Sequence, residues 1–173
     1  NLSPRTIEAK VRESPTINVL VVTARPGVAR DVGYRTIARP LVESLRQAAV
    51  PVAVDLLRPG SYAALVAHLE EKQDRQGAGY YHVIHFDLHG GLLTFDQFDT
   101  IEKRLETSQH TFQPLRYGRG KLARYAGVKA FLMLESGAPG IADPVEAIEL
   151  ANLLLTHQIP IAILNACQSG KQI

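Results

Sequence analysis

The sequence predicts an α/β domain whose central sheet is mostly parallel, with helices on both faces. Three features lead to this class: short apolar runs rich in β-branched residues, intervening stretches with apolar residues three and four apart, and Gly- or Pro-containing breaks between them. Strand and helix patterns alternate along the chain, as parallel neighbours joined by crossovers require.

In chain order, Ile17 to Val22 (INVLVV) reads as a buried first strand, stopped by Ala24-Arg25-Pro26-Gly27. Tyr34, Ile37, Leu41, Leu45 and Ala48 then recur at helical spacing and form one apolar face. Pro40 interrupts that pattern, as a kink or as the junction of two short helices. Val52 to Leu56 forms a second strand closed by Arg58-Pro59-Gly60, and Ser61 caps a helix carrying Ala64, Leu65, His68 and Leu69. Tyr81 to Phe86 (YHVIHF) is the third strand, with Gly90-Gly91 ending the extended segment. Leu92 to Gly127 reads as an irregular excursion, too short and too polar to bury a core of its own. Lys129 to Leu134 is a short strand. Asp143-Pro144-Val145-Glu146 has the form of a helix start, with Asp at the N-cap and Pro at the first helical position. That helix is expected to run to about His157, before Pro160. Ile161 to Leu164 (IAIL) is the last buried strand, leading directly into Asn165-Ala166-Cys167.

Composition narrows the function classes. A length of 173 residues, 46% hydrophobic and 21% charged, fits one globular domain. A net charge of +2, from 19 basic and 17 acidic residues, is too weak a field to favour nucleic acid or an anionic membrane as partner. No apolar run approaches the roughly 20 residues of a membrane span, and Asn1 to Ser14 lacks the apolar core of a signal peptide. A single cysteine allows no internal disulfide, which makes the cytoplasm the expected compartment. The only methionine is Met133 and the chain stops soon after Cys167, so it is expected to be part of a longer polypeptide.

Ligands of such sheets bind beyond the carboxyl ends of the strands. Two strands run into polar residues there: the third into Asp87-Leu88-His89-Gly90, the last into Asn165-Ala166-Cys167-Gln168-Ser169-Gly170. A lone cysteine after an apolar strand is usually an inert core residue, and a histidine at a strand end is often a turn residue. Their joint placement with glycines points to chemistry instead. A thiolate nucleophile needs an imidazole to take its proton and backbone N–H donors for the developing oxyanion. His89 and Cys167 supply the first pair, and the N–H groups of Gly90 and Cys167 supply the donors, Gly90 having no side chain to obstruct the approach.

The blocks Tyr81-His82-Val83-Ile84-His85-Phe86-Asp87-Leu88-His89-Gly90 and Ile163-Leu164-Asn165-Ala166-Cys167-Gln168-Ser169-Gly170 resemble the two signature blocks of the CHAT domain. This is a caspase-like peptidase module found in bacteria beside TPR repeats and related to separases, metacaspases and gingipains. Val19 to Pro26, with Arg30-Asp31-Val32-Gly33-Tyr34-Arg35, is similar to the start of such domains. The resemblance covers most of the chain from Ile17 onward. It implies a caspase-like three-layer α/β/α fold, His89 as catalytic histidine, Cys167 as nucleophile, and Gly90 and Cys167 as the oxyanion hole. It also implies that Asn165, two before the cysteine, helps floor the pocket for the residue preceding the cut bond, and that the loop after the first strand reaches it. Arg25, Arg30 and Asp31 in that loop carry opposite charges, which leaves an acidic, basic or neutral target residue open. Residues 1–16 then form an extension or linker, and 17–173 a peptidase domain cut short at its C-terminal end, the counterpart of a caspase's large subunit. The implied partners are a protein or peptide substrate and a TPR-repeat or other regulatory domain or complex, in a setting such as bacterial defence.

The remaining histidines and glycines do not add a cofactor. His82 and His85 point to opposite faces of a strand, and four residues at about 3.3 Å each separate His85 from His89 by roughly 13 Å, too far to share one ion. His85 is read as a buried, hydrogen-bonded neighbour, and no metal ligand is assigned. Neither Gly118 and Gly120 nor Gly170-Lys171 has the form of a phosphate loop. Two rival readings remain: a non-catalytic CHAT-like binding or scaffolding module using the same cleft, and a nucleotide- or small-molecule-binding α/β module. No glycine-rich fingerprint follows Ile17 to Val22 to favour the latter.

Overall fold

A computed structural model of the chain describes residues 11–27, 43–44, 47, 50–107, 122–138 and 140–168, the last three as backbone. The described elements are β1 (Ile17–Thr23), β2 (Val52–Leu57), α1 (Tyr62–Gln76), β3 (Val83–Leu93), α2 (Phe95–Thr107), β4 (Lys129–Glu135), β5 (Ala142–Glu146), α3 (Ala147–Thr156) and β6 (Ile161–Gln168). They form an α/β fold on one mixed sheet. β1 pairs in parallel with β2 and β3, and β3 in parallel with β6, while β3–β4 and β4–β5 are antiparallel. Of the helical pattern from Tyr34 to Ala48, only Glu43, Ser44 and Gln47 are described, so the kink at Pro40 lies outside the described residues.

The core divides across the sheet because side chains alternate along each strand. Leu20, Val22, Ile84, Phe86, Leu88, Leu132, Leu134 and Val145 pack on one face against Leu65 and Leu69 of α1 and Leu150 and Leu153 of α3. The alternate residues Phe131 and Met133 turn to the other face, where Phe98 of α2 joins them. Ser61 caps α1 as expected, its Oγ accepting from the Ala64 N–H at 3.2 Å. β4 and α3 end where the sequence places them, to within one residue.

Four expectations are corrected. The last strand, β6, is not buried: Ile161, Ile163 and Leu164 are all exposed, because among the described residues β6 pairs only with β3 and no helix covers it. Gly90-Gly91 does not end the third strand, which runs to Leu93 because β4 supplies an antiparallel partner from His89↔Met133 to Leu93↔Lys129. The supposed irregular excursion contains α2. Its start is a capping box in which Gln97 Oε1 accepts from the Thr94 N–H (2.9 Å) and the Gln97 N–H reaches Thr94 Oγ1 (3.4 Å). Phe98, Ile101 and Leu105 share its buried side, with Phe98 and Leu105 buried and Ile101 packed against the Phe98 cluster. Finally, Asp143-Pro144-Val145-Glu146 is not a helix start but β5. Pairing with β4 buries Val145 completely, and Pro144, which has no N–H to donate, is tolerated because β5 is the last strand on that side of the described sheet. The helix begins one residue later, at Ala147.

Candidate functional site

β3 is the organising strand of the site. Along one edge it is paired with β6 from Val83↔Ile161 to Gly90↔Gln168. Along the other, β1 pairs with Val83–Asp87 and then gives way to β4, which begins at His89. β1 leaves the sheet at Thr23 because Ala24-Arg25-Pro26-Gly27 breaks the strand, and the Ala24 N–H makes the last bond to the Asp87 carbonyl (3.1 Å). His89 therefore sits where one neighbour departs and another arrives.

In the β3–β6 ladder, His89 is the register partner of Cys167, and Asp87 that of Asn165. His89 and Gly90 are half-buried, as is Asn165. Asn165 Nδ2 lies 3.4 Å from Asp87 Oδ1, a long hydrogen bond between residues 78 apart in sequence, so this pair meets on one face of the sheet. The backbone thus brings together the four expected residues His89, Gly90, Asn165 and Cys167. Arg30 and Asp31, expected to line the substrate pocket, lie outside the described residues, as do Ser169 and Gly170.

Two residues before His89 on β3, on the same face, lies an ion pair that the sequence did not reveal. Arg25 Nη2 donates to Asp87 Oδ2 at 2.6 Å, with the two side chains only 11% and 2% exposed. Arg25 Nη1 donates to the carbonyls of Asp87 (2.8 Å) and Ala24 (2.9 Å), and its backbone N–H donates to Glu135 Oε1 (2.9 Å). Arg25, offered by the sequence as a possible pocket charge, is committed to this junction of β1, β3 and β4. The signal was a cation just past one strand end and an acid at the end of its parallel neighbour, but their 62-residue separation hid the pairing.

The other histidines have separate surroundings. His82 lies just before β3; its Nδ1 accepts from the Asn18 N–H and its Nε2 donates to the Arg12 carbonyl, each at 3.0 Å. His85 is buried, as expected, but its Nδ1 has no hydrogen-bond partner among the described residues, contrary to the expectation of a bonded neighbour. Burial pushes its imidazole below the usual histidine range, against a smaller opposing pull from Asp87. Among the described residues no three His, Cys, Asp or Glu side chains gather to hold a metal ion.

A second polar cluster ties α1 to β2, remote from His89. Tyr81 Oη donates to Asp55 Oδ2 (2.6 Å) and meets His68 Nε2 (2.6 Å), and Lys72 Nζ reaches the same Asp55 oxygen (2.7 Å). Burial and the bond to Asp55 push the Tyr81 hydroxyl far above its usual range. Burial raises Asp55, but the bonds from Lys72 and Tyr81 outweigh it and hold the carboxyl below its usual range. Every member is satisfied by another, which marks the cluster as a structural tie.

Among the described residues no helix is long and apolar enough to cross a membrane. Comparison with known proteins finds no match: no family model, no curated protein and no solved structure is significantly similar to this chain.

Proposed function

We propose that this chain is the catalytic part of a caspase-like cysteine endopeptidase of the CHAT kind. The observation that carries the reading is the register His89↔Cys167 on adjacent parallel strands, which makes neighbours of the two residues singled out by chemistry. In this reading His89 takes the proton of Cys167, and the thiolate attacks a peptide carbonyl. The N–H groups of Gly90 and Cys167 stabilise the oxyanion, and water hydrolyses the acyl-enzyme. Asn165 contributes to the floor of the pocket. A caspase-like three-layer arrangement belongs to the same proposal and is supported by helices packed on opposite faces of the sheet. The substrate is an extended peptide held by backbone pairing at the sheet edge, and attached repeats or a larger complex regulate cleavage.

Cys167→Ala and His89→Ala in the full-length protein test the assignment. Each is expected to abolish cleavage of candidate protein partners, and Cys167→Ala to abolish labelling by a thiol-reactive peptide electrophile. Retained cleavage in both variants would sink the proposal. A folded wild-type protein that neither cleaves nor labels would favour a non-catalytic binding module using the same cleft.

A further inference from the structure

The proposed reaction leaves the buried Arg25–Asp87 pair without a role, yet Asp87 holds one of the two β3 positions that flank His89 on the same face, the other being Gly91. Side chains two apart on a strand share a face, about 6.6 Å along it. Asp87 is also joined to Asn165, two residues before Cys167 on β6. The carboxylate therefore touches both strands that carry the proposed reacting groups, while Arg25 anchors it to the end of β1.

A charge at that place acts on the neighbouring proton transfer. An unpaired carboxylate there favours an imidazolium and disfavours a thiolate; an unpaired guanidinium does the reverse. Among the described residues, the strands and turns around the step carry few charged and titratable groups, the charges of α2 (Asp96, Asp99, Glu102, Lys103, Arg104 and Glu106) belonging to the helix packed over that face through Phe98. β3 supplies His85, Asp87 and His89, the turn after β1 supplies Arg25, β4 supplies Glu135, and β6 carries no charged residue. Glu135 is itself held by the Arg25 backbone N–H. Arg25 is thus the cation set against Asp87, and water cannot screen a pair this deeply buried.

We propose that Arg25 and Asp87 form a positioning pair for the His89–Cys167 step, cancelling each other's charge beside it and, through Asn165, holding β3 and β6 in the register that sets one residue against the other. The proposal rests on the reading of His89 and Cys167 as the reacting groups. Its test does not need peptidase activity. In the full-length protein, the rate of Cys167 alkylation by iodoacetamide is followed against pH by peptide mass spectrometry, with folding of each variant checked by circular dichroism. Arg25→Gln is expected to move the midpoint of the profile up by about one pH unit, Asp87→Asn to move it down, and the double variant to return it close to the wild type. A pair that merely supports the fold would, when broken from either side, loosen the site alike. Shifts of the same sign in both single variants, or none in either, would overturn the proposal. Should Arg25→Gln not fold, the downward shift in Asp87→Asn decides alone, and its absence counts against the pair. Loss of the peptidase reading shows separately, as cleavage that survives Cys167→Ala.

Discussion

Replacing Arg25 by alanine leaves the Asp87 carboxylate, 2% exposed, with only the long bond from Asn165 among the described residues. Breaking a buried pair by removing one partner typically costs about 3–5 kcal/mol, because the remaining charge is neither hydrated nor compensated. Asp87→Ala is expected to cost less, about 1–3 kcal/mol, since the guanidinium keeps its bonds to the Ala24 and Asp87 carbonyls. The double variant removes the stranded charge along with its partner. It should therefore fall short of the sum of the single losses by at least about 1 kcal/mol. With a urea dependence of ~2 kcal/mol per M, Arg25→Ala lowers the unfolding midpoint by roughly 1.5–2.5 M at unchanged slope. The assay is equilibrium urea unfolding followed by far-UV circular dichroism at neutral pH. A loss below about 1 kcal/mol for Arg25→Ala, the range of exposed ion pairs, or strict additivity in the double variant, would refute the reasoning.

Further expectations concern the scaffold. At Gly60 a Cβ would lie 2.3 Å from the Thr23 carbonyl oxygen and 2.7 Å from its carbon, backbone atoms that cannot yield cheaply. Gly60→Ala should therefore cost about 3 kcal/mol or more, seen as a fall of several degrees in Tm. Thr94→Ala removes one half of the capping box of α2 and should cost about 1 kcal/mol, with faster amide exchange in the first turn of that helix. Burial holds His68, His85 and His157 below the usual histidine range of about 6.5. Below that pH the unfolded chain binds more protons than the native one, so stability should fall as pH drops from about 6.5, by at most about 1.4 kcal/mol per pH unit for each group. Urea midpoints at pH 7.5, 6.5 and 5.5 check the sign, and a midpoint that rises on acidification contradicts it.

Strands with a strong apolar run were legible in the sequence, because burial on both faces leaves an unmistakable pattern in INVLVV and YHVIHF. The cap at Ser61 was legible because it is a local interaction. At Asp143-Pro144, by contrast, the local signal for a helix start was outweighed by a ladder to β4 that no local pattern reveals. α2 carried its own signals, Thr94 with Gln97 and the spacing of Phe98, Ile101 and Leu105, but they lie in a polar stretch dominated by charge. The candidate site was legible as chemistry, from His89 beside glycines and Cys167 after an apolar strand. Its register was not, since pairing between β3 and β6 depends on where the whole chain returns, and the Arg25–Asp87 pair is equally non-local.

The placement of β6 also orders events during synthesis. β3 has one edge reserved for a segment that the ribosome makes 78 residues later, as the separation of Asp87 and Asn165 shows. At about 5–20 residues per second that interval is roughly 4–16 s. The β1–β2–β3 layer can assemble before then, but His89 faces an empty edge until Ile161–Gln168 has emerged and docked. Whatever His89 and Cys167 do together is therefore withheld from the nascent chain and begins only once the last described strand has joined the sheet.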